Sequence, residues 1–483
     1  MLSDRPSCHV VILGGGITGL SAAFHLACKQ PNVSITLVEK NARFGGWIRS
    51  ERVEVRDDDG NLGNVLLEAG PRTIRPNSKS ILELIYLLDL RSEVLFTPRA
   101  SPAGRNRFLH VPPAPGLQAL PSSLLSALTL PLGRLVLKSA LSEPFIPANK
   151  PHPPQNDDDD DALVHGIYAA DSRRLSVRAA FPTLRASERR GNGSVMWGEL
   201  GPPAWFGRAA GATDGEDGEW ETDGDREWDA RIAAAAVLSF RGGMETLVRA
   251  LVKALRGFPN VTLRGDTAVR GIRERDDEAH SVFEVHLVGA DEPLKATHII
   301  SALPLPVLHS VLATSENTSP LPHLLANPHS TVTVLNLVFA APPAPRSLHP
   351  PWLRLPRPPP RAGQDDGEFV KMTAMLGGPH ASSSSSSDSA LLASVLPLIS
   401  AQLGGSDPLP APVHYAVHRN VESIPTYLVG HTARMKELRK ALRERWGGRL
   451  EVVGAGVGGV SVADCVKAGR HAAHQVATHI EAA

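Results

Sequence analysis

The chain has 483 residues and carries 50 basic and 50 acidic side chains, so its formal net charge is zero. This balance favours neither nucleic acid nor another strongly charged partner, and the length predicts two or three domains with a sizeable core. The three cysteines, Cys8, Cys28 and Cys465, have neither paired nor metal-ligand spacing, so we expect free thiols and no metal site.

A strand, a glycine-rich turn and a helix are predicted in succession over residues 10–26. Gly14 permits the tight turn, and Gly15 lies within it. Gly16 lets the backbone approach a pyrophosphate, and Gly19 lets the helix pack closely on the strand. This Gly-x-Gly-x-x-Gly pattern predicts a dinucleotide site of Rossmann type, whereas an ordinary glycine-rich loop is the alternative for the glycines alone.

The segment after the second predicted strand indicates which dinucleotide binds. Glu39 lies where a carboxylate can accept from a ribose hydroxyl, and an Arg-x-Gly-Gly sequence follows directly. This sequence, and Leu-Glu-Ala-Gly-Pro-Arg at 67–72, resemble the second flavin contact of the amine oxidase and phytoene desaturase superfamily. The resemblance implies FAD, and a Gly-Gly turn with a surface arginine is the alternative. The contacts expected in this stretch are Lys40, Arg43, Gly45, Gly46, Trp47 and Gly70.

An apolar region at 117–146 is the nearest candidate for a membrane segment. It contains many leucines, but prolines, a glycine and basic residues interrupt it, and the chain has no run of about 18 apolar residues. We therefore expect no spanning helix. Short amphipathic helices in a membrane interface and ordinary buried helices both fit this pattern. The first strand begins by about His9, so we expect no secretory signal or long presequence ahead of it.

Four stretches have the composition of loops, because they contain too little apolar surface to offset the entropy of ordering. They are 147–161, which ends in five aspartates, 207–229, 342–366 and 382–387. The aspartate run is typical of a solvated face.

Regular elements lie between these loops. A helix with an apolar stripe is predicted at 245–252, and strands are predicted at 261–263, 282–287 and 298–302. In FAD proteins of the superfamily such a block returns the chain to the nucleotide domain, which implies that Val269 lies beside the adenine. Strand patterns at 331–339 and around 372–376 predict a second sheet.

A second strand, glycine turn and helix are predicted near the C-terminal end, at 450–453, 454–459 and 460–472. Backbone N–H groups at a helix N-terminus can stabilise the negative charge that reduced flavin carries near N1 and O2. An independent glycine turn is the alternative. The flavin contacts expected here are Gly454, Ala455, Val460, Ser461 and Val462.

The chain is similar in these and further motifs to the protoporphyrinogen oxidase family, flavoenzymes of haem synthesis. The further motifs are at 106–108, 164–169, 172–178, 375–378, 424–427 and 430–431. The resemblance implies that FAD oxidises protoporphyrinogen IX to protoporphyrin IX with oxygen as acceptor, and that no side chain acts as acid or base. It assigns a substrate propionate to Arg107, an apolar tetrapyrrole contact to Met375, and close backbone approach to the position of Ala170.

Three departures from the family pattern concern the substrate half. The acidic run leads almost directly into residues 162–169, so part of the membrane-facing helical domain is missing. Ala170 stands where the family has glycine, and the proline-rich 342–361 replaces a substrate-lining turn and strand. A pseudoenzyme, an incomplete gene product and another flavin amine oxidase or desaturase are therefore alternatives to an active oxidase.

The resemblance implies an α/β fold with a discontinuous Rossmann-like FAD-binding domain, a second mixed-sheet substrate domain and a helical membrane-associated insertion. It also implies a homodimer on the mitochondrial inner membrane that passes its product to ferrochelatase. The expected divisions are 1–90, 236–303 and 446–483 for the FAD domain, 91–204 for the helical region, 205–235 for an acidic loop and 304–445 for the substrate domain.

Overall fold

The structure, a computed structural model, describes residues 8–109, 116–119, 169–171, 173–191, 224–276, 281–313, 321–340, 369–377, 387–403 and 408–482. In chain order its strands are β1 His9–Leu13, β2 Ser34–Val38, β3 Ser50–Arg56, β4 Leu62–Glu68, β5 Val94–Pro98, β6 Phe108–Leu109, β7 Gln118–Ala119, β8 Ala235–Phe240, β9 Val261–Arg264, β10 Val269–Asp276, β11 Ser281–Leu287, β12 Leu294–Ala296, β13 His298–Ser301, β14 His329–Ala340, β15 Phe369–Gly377, β16 His414–Pro425 and β17 Leu450–Val452. Its α-helices are α1 Ile17–Lys29, α2 Lys79–Leu87, α3 Pro102–Arg105, α4 Val177–Ala180, α5 Pro182–Arg190, α6 Arg226–Ala234, α7 Glu245–Gly257, α8 Leu305–Leu312, α9 Asp388–Leu403, α10 His431–Trp446, α11 Ala455–Gly458 and α12 Val462–Ala482.

A parallel sheet in the order β17-β13-β1-β2-β9 forms the nucleotide-binding half of the fold. Its strands come from distant parts of the chain, as expected for a discontinuous Rossmann-like domain. Helices cover both faces, so β1 is apolar and buried along its length except at His9. Val10 and Ile12 lie in the core with α1, α7 and α12, whereas Val11 and Leu13 lie in the core with α8 and α10.

The two helices that follow the glycine turns pack directly on each other. A side chain at Gly469 of α12 would collide with the Thr18 carbonyl oxygen of α1. Ser21 Oγ of α1 also donates to the Val466 carbonyl at 3.0 Å. The N-terminal and C-terminal ends of the chain therefore form one layer of the nucleotide domain.

A second sheet, in the order β15-β14-β16, is antiparallel. One face carries Leu335 and Leu337, which pack in a core with Val395 of α9. On the opposite face, Val338 packs against the β3–β4 hairpin of the nucleotide half. Because neighbours across the ladder share a face, the pairing of Val334 with Met375 places Met375 on the side of this hairpin.

Two asparagine side chains join this sheet to the nucleotide half. Asn336 is buried and donates from Nδ2 to the Glu68 carbonyl at 2.9 Å, while Asn420 donates to the Ala69 carbonyl at 2.8 Å. The two acceptors, Glu68 and Ala69, are the two residues before Gly70. The second sheet is thus hydrogen bonded to a segment predicted to hold the flavin.

One predicted loop is partly helical. Residues 226–234, within the expected acidic loop 205–235, form α6, because Asp225 Oδ1 caps the Trp228 N–H at 3.1 Å and the Trp228 ring packs edge-on against Phe96. Residues 120–168, in the middle of the expected helical region 91–204, and the stretches 192–223, 341–368 and 378–386 lie outside the described residues. Among the described helices, none is both long and apolar enough to cross a bilayer.

Candidate functional site

The first glycine turn has the geometry of a phosphate loop. Gly14 adopts φ +96°, and its N–H donates to the Val38 carbonyl at 2.8 Å, which ties the turn to β2. A side chain at Gly19 would collide with the Gly14 carbonyl oxygen, so only glycine lets α1 begin this close to β1. At Gly16, by contrast, an added Cβ would meet nothing within 4 Å. The turn therefore presents an open backbone cradle at the N-terminus of α1.

Glu39 is the carboxylate of this cradle. It is buried, at 8% exposure, and its Oε2 accepts from the Gly15 N–H at 2.7 Å. Its Oε1 accepts from both the backbone and the side-chain amide of Asn41, at 3.0 and 2.9 Å. A carboxylate offers about four acceptor positions. These three donors leave capacity for a hydroxyl such as that of a ribose.

The Arg-x-Gly-Gly segment lies against the first turn. Gly45 N–H donates to the Gly15 carbonyl at 2.8 Å. The Arg43 guanidinium donates to the carbonyls of Phe44, Gly46 and Ile48 at 2.5 to 2.9 Å, so in this structure Arg43 shapes the loop itself.

Further predicted residues of this stretch lie around the same loop. A side chain at Gly70 would collide with the Trp47 carbonyl oxygen, so the Ala69–Gly70 segment lies on the loop. The Trp47 side chain is 47% exposed, and Lys40 is exposed after β2.

The chain just before Val269 runs beside Glu39. Thr267 N–H donates to the Glu39 carbonyl at 2.9 Å, and Glu39 N–H donates to the Arg264 carbonyl at 2.8 Å. Val269 follows at the start of β10, next to a register shift between Val269 and Gly271. The hydrogen bonds therefore bring Glu39 together with residues 225 and 228 positions later in the chain, at one edge of the cradle.

The C-terminal glycine turn meets the first one. Gly454 adopts φ +113°, and a Cβ there would lie 3.8 Å from Thr18 Oγ1 and 3.9 Å from the Ala302 carbonyl oxygen. A Cβ at Gly14 would lie 3.2 Å from the same Ala302 oxygen. These turns follow the carboxyl ends of β1 and β17, which lie on either side of β13 in the parallel sheet; α/β sheets bind their ligands at this edge.

The helix after this turn starts later than the sequence pattern predicted. Residues Ala455–Gly458 form the short α11, Val460 and Ser461 lie in a bend, and α12 begins at Val462. Ser461 Oγ and the Asp464 carboxylate bond each other at 2.6 Å, and each accepts from the other's backbone N–H. This capping box sets the boundary, because it satisfies donors that would otherwise require a further helical turn.

A buried tyrosine and a buried histidine support this turn. They belong to the sequence motifs at 424–427 and 430–431, from which no role was predicted for either residue. Tyr427 is 2% exposed, and its hydroxyl donates to the Ala455 carbonyl and accepts from the Gly459 N–H at 2.9 Å. The His431 ring stacks on the Tyr427 ring at 4.0 Å between centroids. Burial lowers the pKa of His431 to about 4, so the imidazole is neutral at pH 7.

A buried carboxyl lies where the hairpin meets α7. Glu68 accepts from Ser50 Oγ at 2.7 Å and from the Met244 N–H at 2.8 Å. Burial raises the pKa of Glu68, although both hydrogen bonds oppose the shift. Glu68 therefore supports the backbone that continues to Gly70.

The chain matches the family of flavin containing amine oxidoreductases over residues 17–477. The chain belongs to this family. The protoporphyrinogen oxidase of Bos taurus is 31% identical, and the match covers 97% of this chain and 98% of that protein. The coproporphyrinogen III oxidase of Bacillus subtilis is 25% identical over 98% of both chains. A solved structure from Exiguobacterium sp. 255-15, provisionally assigned as a protoporphyrinogen oxidase, shares the fold with a TM-score of 0.68 at 20% identity, covering 98% of this chain and 100% of that one.

This flavin containing amine oxidoreductase is a homologue of protoporphyrinogen oxidases and an FAD-dependent oxidoreductase. The alignment with the bovine protein spans 511 positions, more than the 483 residues of this chain, so the relative has segments that this chain lacks. The described residues fit FAD: the empty space at Gly16 accommodates a diphosphate, and Glu39 keeps an acceptor for a ribose.

The three predicted substrate contacts have different surroundings. Met375 is 50% exposed on the hairpin side of the second sheet. Ala170 is buried in a small apolar cluster with Tyr427, next to Ala169, which adopts φ +49°. Arg107 is exposed before β6, and its guanidinium donates to the Asn106 carbonyl at 2.8 Å and to the Ala103 carbonyl at 3.5 Å.

Among the described residues, no group of three or more acidic, histidine or cysteine side chains could hold a metal ion.

Proposed function

We propose that this flavoprotein oxidises protoporphyrinogen IX to protoporphyrin IX in three two-electron steps, with oxygen as the final acceptor, in haem synthesis. The observation that carries the proposal is the match over nearly the full length of both chains to a protoporphyrinogen oxidase. The meeting of the two glycine turns at Ala302 supports it, because it provides one FAD site from both ends of the chain.

The residues of the cradle orient the cofactor. The backbone at Gly14–Gly16 and Gly45–Gly46 would bind the diphosphate, Glu39 would accept from the adenosine ribose, and Val269 would pack on the adenine. The backbone at Val460 to Val462 would face the ring edge, where the N–H groups of Val460 and Val462 would stabilise the negative charge that accumulates on reduction; the Ser461 N–H is bonded to Asp464. FAD, when bound, supplies an acceptor for a hydride at its N5 atom.

The substrate contacts bind rather than react. Arg107 carries the charge that a propionate requires, and its exposed position lets the side chain turn towards a ligand. Met375 presents a soft apolar side chain on the sheet face beside the nucleotide half, which suits a flat macrocycle. Ala170 narrows the space where the family has glycine. No side chain is assigned as an acid or base.

The cellular context follows from the resemblance alone. It supports a homodimer associated with the mitochondrial inner membrane, where the product passes to ferrochelatase. The interrupted apolar stretch at 117–146 is the segment of the sequence that suits a membrane interface.

Coproporphyrinogen III is the second candidate substrate, since the match to the Bacillus subtilis enzyme is equally extensive, although identity is lower. The two porphyrinogens differ in their side chains: coproporphyrinogen has four propionates, whereas protoporphyrinogen has two propionates and two vinyl groups. Arg107 is the guanidinium that the resemblance assigns to a propionate, which fits the less acidic substrate.

An anaerobic reduction experiment tests the proposal. The purified protein is expected to be yellow, and its flavin absorbance is expected to bleach on addition of protoporphyrinogen, faster than with coproporphyrinogen. Bound flavin that neither porphyrinogen reduces would identify a pseudoenzyme or an incomplete gene product. Reduction by an amine instead would favour another flavin amine oxidase. Arg107→Ala is expected to raise KM for the porphyrinogen without changing the flavin spectrum.

A further inference from the structure

The Tyr427 hydroxyl lies between the two ends of α11. It donates to the carbonyl of Ala455, the first residue of this short helix, and accepts from the N–H of Gly459, the residue just after it. One side-chain oxygen thus closes the turn that begins at Gly454. The hydroxyl uses its only proton and one lone pair for this purpose.

His431 fixes the Tyr427 ring from the other side. The two rings are nearly parallel, with an interplanar angle of 10°. His431 Nε2 lies 3.3 Å from the Val457 carbonyl and Nδ1 lies 3.0 Å from Asn327 Nδ2. Because a carbonyl only accepts and this amide nitrogen only donates, the neutral imidazole carries its proton on Nε2. Both stacked side chains therefore bond the same turn.

The main chain of Tyr427 connects the turn to the substrate side. The Tyr427 carbonyl accepts from the Ser176 N–H at 2.7 Å. Tyr427 is the second residue after the end of β16 in the second sheet. Its ring shares an apolar cluster with Ala170, against which Val460 packs. Ala170 is a proposed substrate contact and Val460 a proposed flavin contact.

We propose that Tyr427 is a positioning residue that sets the flavin-facing backbone of residues 460–462 relative to the substrate sheet. Its hydroxyl fixes the turn, and its ring and carbonyl fix the turn to the elements that line the substrate. The inference rests on the FAD site of the proposed function and is independent of which porphyrinogen is oxidised.

Tyr427→Phe removes both hydrogen bonds and keeps the ring. We expect the dissociation constant for FAD, measured by fluorescence quenching on titration of the apoprotein, to rise about 5- to 30-fold. The two-electron midpoint potential is expected to become more negative, because less firmly held N–H groups stabilise the charge of reduced flavin less well.

Tyr415→Phe is the matched control. Tyr415 lies on β16, the strand that precedes Tyr427, and it packs in the core on the α9 face of the sheet. This variant is expected to retain the wild-type dissociation constant and potential. Wild-type values for both in folded Tyr427→Phe, or equal shifts in the two variants, would overturn the inference. His431→Gln removes the stacked ring, and it serves as a second variant that must weaken FAD binding if Tyr427→Phe does not fold.

The two proposals fail separately. Flavin that no porphyrinogen reduces would refute the proposed reaction and leave the FAD titration interpretable. An unaltered FAD affinity and potential in Tyr427→Phe would refute the role of Tyr427 even in an active oxidase.

Discussion

Gly16→Ala separates the stability of the phosphate loop from its capacity to bind FAD. Gly16 has φ −70° and ψ 176°, which any residue adopts, and its added methyl would have no neighbour within 4 Å. Alanine restricts the unfolded chain, which stabilises the fold, but it is a poorer N-cap than glycine, which destabilises it. These effects oppose each other, so we expect the apoprotein's free energy of unfolding to change by less than about 1 kcal/mol.

FAD binding is expected to respond differently to the same methyl group. The methyl occupies the space that a diphosphate requires, and overpacking of this kind costs about 1 to 3 kcal/mol. The dissociation constant for FAD is therefore expected to rise about 5- to 150-fold. Fluorescence quenching measures the dissociation constant, and urea unfolding of the apoprotein measures the stability.

Gly19→Ala is the comparison variant, because its methyl would collide with the Gly14 carbonyl oxygen. It is expected to lower the stability of the apoprotein and the affinity for FAD together. If Gly16→Ala destabilised the apoprotein as much as Gly19→Ala, the conclusion that the space beside Gly16 is open would be wrong. If it bound FAD as well as the wild type, Gly16 would not face the diphosphate.

Three further changes test other parts of the structure. Arg43→Lys keeps the positive charge, but a lysine cannot donate to the three loop carbonyls that Arg43 bonds. We therefore expect weaker FAD binding and faster proteolysis of the Arg-x-Gly-Gly loop. An unchanged rate of cleavage would contradict the role of Arg43 in shaping this loop. Met375→Ala is expected to raise the KM for porphyrinogen with little effect on stability, whereas Met372→Ala, on the α9 face, is expected to lower the thermal unfolding temperature instead. Stability is expected to fall as the pH drops from 7.5 to 5.5, by about 1 kcal/mol for each of three histidines, the half-buried His25 and the buried His298 and His431. The unfolded chain binds protons on histidine near pH 6.5, whereas burial lowers the pKa of each of these three to about 4. Urea unfolding that shows no loss of stability over this range would contradict the prediction.

The local elements of the nucleotide half were predictable from the sequence. The strand, turn and helix around Gly14 depend on neighbouring residues, since apolar periodicity and glycine positions determine them within about twenty residues. The later strands were recognisable for the same reason, although the structure extends the predicted 331–339 to His329–Ala340. The helix α6 was missed, because its buried Trp228 finds its partner, Phe96, far away in the sequence.

By itself, the amino-acid sequence determined that this chain binds a dinucleotide through glycine turns, and its family resemblance determined which one. Only the tertiary structure decided that the turns at Gly14 and Gly454 meet at Ala302, that Met375 lies on the hairpin side of its sheet, and that Tyr427 closes the second turn. The reason is the distance along the chain. Parallel strand pairing, cross-strand register and side-chain hydrogen bonds join residues from tens to hundreds of positions apart, and no local pattern encodes which of them become neighbours.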